Sequence, residues 1–153
     1  MAFTDDRLTL WIISGVTGSI VRELFDFIAI WIGLPIIHIA YLGADLFTNN
    51  MNQIKSLMGI LTGTLTDWIM GAFIGVIIGL VLQWSGRQNY LLKGIGIALI
   101  GWVGIFGFLV EGMAHMFIFK PTIGNTLFAL VPHSIYGSIT AFCIVKFTKI
   151  SSH

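Results

Sequence analysis

The residues that could do chemistry here are ionisable groups set in apolar surroundings. Arg22, Glu23 and Asp26 fall in one apolar run, Asp67 in a second, Glu111 and His115 in a third, and His133 in a fourth. A charge is costly in an apolar medium, so such groups are retained where they pair, bind an ion or carry a proton. Arg22 is one fixed cation, against four potential anions at Glu23, Asp26, Asp67 and Glu111. Some of these carboxyls must be protonated, hydrated, or paired with a cation. Asp67 is the deepest by residue count from the helix ends and is expected to hold the proton. Asp67, Asp26, Glu111, His133, Arg22 and His115 are the candidate ion- or proton-binding residues.

Spacing weighs the alternatives. Arg22 and Asp26 stand four apart and can pair along one helix, either to lock a bundle or to form an anion site or gate. Glu111 and His115 are also four apart and face one way. Di-iron bundles use a Glu-x-x-His spacing repeated on two helices, and this chain has a single pair at a different spacing. A haem between His115 and His133 needs both rings at one depth, and counting separates them by about 9 Å. No metal or cofactor is therefore expected. His133 beside Tyr136 also fits a hydrogen-bonding core histidine. Ser14, Thr17, Thr62, Thr64 and Thr66 are expected to bond back to their own helices. No pattern for nucleophilic catalysis, phosphate cradling or zinc proteolysis is present, so an enzyme is not expected.

The elements that must position these groups follow from composition and period. Hydrophobic residues make up 56% of the 153-residue chain and charged ones only 10%. Soluble domains carry about 25% charged residues, so this composition is that of a membrane protein. The central stretch repeats small residues every fourth position at Gly59, Gly63, Gly71, Gly75 and Gly79, with Asp67 interrupting the series. Residues four apart stack on one helix face, so this stripe predicts a glycine zipper against which another backbone packs closely. The expected fold is an all-α, four-transmembrane-helix bundle in a single membrane domain, 1–153. Its spans are 8–33, 54–84, 91–119 and 122–147, and an apolar run of about a dozen residues, 36–47, is too short to cross and predicts an interfacial or re-entrant helix. His38, Tyr41 and Asp45 could share one face of it. One of Asn49, Asn50 and Asn52 is expected to cap the next helix, and Pro132 is expected to kink the last span by freeing the carbonyl of Phe128. The ionisable groups then form a staircase in one half of the bundle. This predicts a polar vestibule facing outward, sealed on the other side by glycine contacts.

Basic residues set the orientation. Arg7, Arg87, Lys93, Lys146 and Lys149 fall on one side of four spans, and Lys55 and Lys120 on the other. The positive-inside rule then places both termini in the cytoplasm, in a multi-pass protein of a bacterial inner membrane. The short acidic start lacks the basic region of a signal peptide, so the first helix is expected to be retained. The lone Cys143 excludes an internal disulfide. A net charge of +1 leaves no nucleic-acid footprint. The expected partners are membrane lipid and either further copies of the chain or a larger membrane complex.

Asp67-Trp68 with Gly71 and Gly75, Leu91-Leu92-Lys93-Gly94, and His133 with Tyr136-Gly137 resemble a group of small, uncharacterised bacterial four-helix integral membrane proteins. The resemblance covers the last three spans, implies four spans and brings no activity. Three function classes follow from the residues. The first is a proton- or cation-linked transporter or channel-like subunit, the second a non-catalytic assembly subunit of a membrane oligomer, and the third a metal- or haem-binding redox subunit, ranked last for want of a ligand motif.

Overall fold

The computed structural model describes residues 6–34, 36–104 and 122–147. These residues are all-helical: α1 (Arg7–Trp31), α2 (Ile39–Asp45), α3 (Met51–Ile54), α4 (Leu57–Ser85), α5 (Tyr90–Val103), α6 (Ile123–Phe128) and α7 (Leu130–Phe147). Three helices are long and apolar enough to cross a membrane: α1, α4 and the joined α6–α7. α5 is apolar but shorter, and the remainder of the expected 91–119 span lies outside the described residues.

Caps explain where the helices begin. Asp6 accepts from Thr9 N–H at 3.2 Å and starts α1. Asn50 caps α3 by accepting from the N–H groups of Asn52 and Gln53. The expected 54–84 span starts three residues later than its pattern, because Ser56 accepts from Gly59 N–H at 3.1 Å and caps α4 there. α4 ends at Gly86, whose φ of 77° lies in the left-handed region open to glycine. Lys93 Nζ then donates to the carbonyls of Ser85 and Gly86, each at 2.9 Å, which places a cation at the negative end of the helix dipole. Pro132 lacks an N–H, and the last helix breaks at Ala129, separating α6 from α7. Ser14, Thr17, Thr62 and Thr66 each donate to the carbonyl four residues back.

The faces of α4 are the reverse of a soluble helix. Leu57, Leu61, Leu65, Ile69 and Phe73 are exposed, whereas Gly63, Asp67, Gly71, Gly75 and Gly79 are buried. Apolar bulk points outward and small or charged residues point inward, the arrangement that lipid rather than water would favour. α4 packs on α1, α2 and α5, and α7 packs on α1 and α5. The α1–α4 contact is antiparallel and made by backbone. A Cβ at Gly75 would stand 2.6 Å from the Trp11 carbonyl, and one at Gly15 would meet the Gly71 carbonyl. Gly79 lies against the Trp11 indole, and Gly71 against Ser19. Gly63 serves a different partner, the backbone of α2 at Ala40, and Gly43 of α2 faces Gly63 in turn. Gly59 meets the carbonyls of Gln53 and Ile54, so its missing side chain accommodates the turn just before its own helix. Trp11, Ile78, Leu82, Ala98, Tyr136, Ala141 and Ile144 form the apolar core.

Candidate functional site

The close α1–α4 seam decides what meets beyond it. One turn past the Ser19–Gly71 contact, α1 presents Arg22 and α4 presents Asp67. Arg22 Nη2 lies 2.5 Å from Asp67 Oδ2. Asp26 sits on the other side of the guanidinium, with its Oδ2 3.9 Å from Arg22 Nε. Arg22, Asp26 and Asp67 are only 5%, 3% and 8% exposed.

Arg22 thus has a second, closer carboxylate besides the one its spacing predicts. The spacing of four predicts Arg22 with Asp26 and leaves Asp67 without a counter-charge. In the structure the short contact is the one across helices. The reason is reach: the guanidinium sits on a long stem, and the glycine-lined face around Asp67 puts nothing in its way. Asp67 is therefore the carboxylate in closest contact with the arginine.

Glu23 joins the cluster from α1. Its Oε2 accepts from Trp68 Nε1 at 3.2 Å, and the side chain is half-buried. Glu23 Oε1 and Asp26 Oδ1 are buried atoms with no hydrogen-bond partner. One guanidinium thus stands among three carboxyl groups.

The remaining candidates fall around this cluster or outside the described residues. His133 on α7 is 8% exposed. Its Nδ1 lies 2.7 Å from the Ala129 carbonyl, so that nitrogen donates and satisfies an oxygen near the helix break. The ring stands 6.4 Å from that of Trp102. Tyr136, one turn along α7, donates its hydroxyl to the Gly71 carbonyl at 2.6 Å and ties α7 to the seam. Glu111 and His115 lie outside the described residues.

Two contributors escape sequence reasoning. Trp68 neighbours Asp67 in the chain, but its bond partner is 45 residues away. His38 caps α2 by accepting Ala40 N–H on Nδ1 at 3.2 Å. Its ring packs edge-on against Phe27 at 6.2 Å and beside Tyr41 at 5.9 Å. The His38 pKa lies below its ordinary value, first because of burial and then because of the positive charge of Arg22, with Asp67 opposing. That dependence links the head of α2 electrostatically to the cluster.

Chemically, the arrangement can hold a proton or share a guanidinium between two carboxylates. Among the described residues, no three His, Cys, Asp or Glu side chains are disposed to hold a metal ion. No protein-family model matches the chain, and no curated protein or solved structure matches it either.

Proposed function

We propose that this chain is a four-span integral membrane protein, a proton-linked transporter or channel-like subunit, in which the cluster on α1 and α4 takes up and releases a proton. One observation carries this: Arg22 is a single buried cation among Glu23, Asp26 and Asp67. Two uncompensated carboxylates in an apolar bundle are costly, and the ordinary relief is protonation or a bound cation. Protonation is preferred because the donors do not converge as a metal site. The backbone contacts at Gly15, Gly71 and Gly75 seal one side of the cluster, and α2, seated on Gly63, lies toward the other. Access from that side needs a small movement, because the charged side chains are buried. The topology proposed with this reading has both termini in the cytoplasm of a bacterial cell membrane, with the stripe also available for self-association.

The second reading, an assembly subunit in which the charges only lock helices, is favoured by the 2.5 Å Arg22–Asp67 contact. Reconstitution in liposomes separates the two. With a pH-sensitive dye inside and an imposed gradient, the transport reading expects dissipation several-fold faster than in protein-free vesicles, with Arg22→Gln abolishing the difference. Dissipation equal to that of protein-free vesicles overturns the transport reading and leaves the assembly reading.

A further inference from the structure

We propose that the proton of this cluster rides on Asp26, with Arg22 and Asp67 forming the fixed ion pair beside it. The inference rests on the proton-binding reading and assigns its atom.

Three carboxyls compete for one guanidinium, and the geometry ranks them. Asp67 has the closest cation contact, 2.5 Å from Nη2. It therefore has first claim on the one guanidinium. Glu23 accepts an N–H from Trp68 at 3.2 Å and is half-buried, so it keeps part of its stabilisation as an anion. Asp26 has neither advantage. It is 3% exposed, its Oδ2 reaches only the arginine Nε at 3.9 Å, and its Oδ1 has no hydrogen-bond partner. A carboxylate this deeply buried, with its cation no closer than 3.9 Å and no N–H donor of its own, carries the largest desolvation cost of the three. Adding a proton removes that charge.

The charged groups that act on Asp26 are Arg22 and Glu23 on α1 and Asp67 on α4. The other titratable groups of the packed elements are His38 at the head of α2 and His133 and Tyr136 on α7. His38 Nδ1 is held as an acceptor by Ala40 N–H, and His133 Nδ1 donates to the Ala129 carbonyl, so each ring commits one nitrogen to its own backbone. Neither bond reaches Asp26. The carboxyl O–H forms when a proton from water binds one Asp26 oxygen, and breaks when the proton returns to water. The anion left behind faces the Arg22 guanidinium, whose Nε is 3.9 Å from Asp26 Oδ2. Arg22 thus acts as a positioning residue that lowers the cost of the empty state.

The test is infrared spectroscopy of the full chain in lipid nanodiscs, following the carboxyl C=O stretch against pH. The wild type is expected to show a protonated-carboxyl band in neutral buffer. The band is lost in Asp26→Asn; Asp67→Asn frees Arg22 for Asp26 and moves the band to lower pH. Carbon-13 labelling of aspartate provides a readout that needs no isosteric variant to fold. It shifts the band in the wild type, and in Asp26→Glu the band returns to its unlabelled position. A band kept in Asp26→Asn, a band that ignores the aspartate label, or no band in the wild type overturns the assignment. The liposome experiment judges transport separately: a band on Asp26 without flux leaves this inference standing and removes the transport reading.

Discussion

At Gly75 a single methyl group would be driven into the backbone of the facing helix. A Cβ built there would stand 2.6 Å from the Trp11 carbonyl oxygen and 2.7 Å from Gly15 Cα, both of them backbone atoms. Ordinary contact begins at 3.4 Å, so α1 and α4 would have to separate by about 0.8 Å at this point. A gap of that size forfeits about a quarter to a half of the dispersion energy of each contact it opens. Overpacking against rigid neighbours costs about 1–3 kcal/mol, and backbone neighbours put this case near the top. Alanine returns up to about 1 kcal/mol through its helix propensity. The net expectation for Gly75→Ala is a loss of about 2 kcal/mol. Gly96 on α5 is the internal control, since nothing lies within 4 Å of its Cβ position. There Gly96→Ala gains the propensity alone, about 0.5–1 kcal/mol. Unfolding by a denaturing detergent added to mild-detergent micelles, followed by far-ultraviolet circular dichroism, gives both values. If Gly75→Ala unfolds at the wild-type midpoint, or Gly96→Ala is the less stable variant, the close seam is not what holds α1 to α4.

Two further predictions concern α2 and the topology. The neutral ring of His38 caps α2 and a protonated ring cannot accept Ala40 N–H, so with its lowered pKa the cap is complete above the ordinary histidine value and is lost as pH falls through the lowered one. Hydrogen exchange of the α2 amides, corrected for intrinsic rate, should accelerate about fivefold on acidification, the worth of an N-cap. His38→Asn, which caps without titrating, should remove that dependence, and an unchanged pH response in the variant would assign it to another group. Cysteines at Ser152 and Thr48, in a Cys143→Ser background, should react with impermeant reagents from opposite sides of sealed cells, and labelling from one side refutes the four-span arrangement.

What could be read from the chain alone follows the range of each interaction. The stripe at Gly63, Gly71, Gly75 and Gly79 is a period, and a period survives without coordinates; these glycines meet backbone or the Trp11 and Ser19 side chains. Depth counting also makes Asp67 the deepest of the carboxyls, because helical rise is uniform. It could not give the rotation of α1 about its axis, and that rotation decides whether Arg22 turns to Asp26 or to Asp67. The Trp68–Glu23 bond fails for the same reason, since two side chains 45 residues apart leave no mark on local pattern. The late start of α4 reflects a cap at Ser56 competing with a continuous apolar run. The position of His38 depends on how the segment after α1 folds back, which hydropathy does not encode.

The four-residue repeat on α4 has a consequence for how the bundle finds one alignment. A ladder of identical rungs offers α1 several equivalent seats, each about 6 Å from the next, and backbone contacts between glycines distinguish them poorly. Asp67 is the odd rung. Sliding α1 by one step would leave Arg22 opposite a glycine and strand a carboxylate, a penalty of about 3–5 kcal/mol for a separated buried pair. The charge pair therefore works as a key that makes one seat unique, in the way a lone buried polar residue fixes the alignment of a coiled coil. A bundle built only of glycine and leucine could hold together in several ways; this one carries the mark that selects among them.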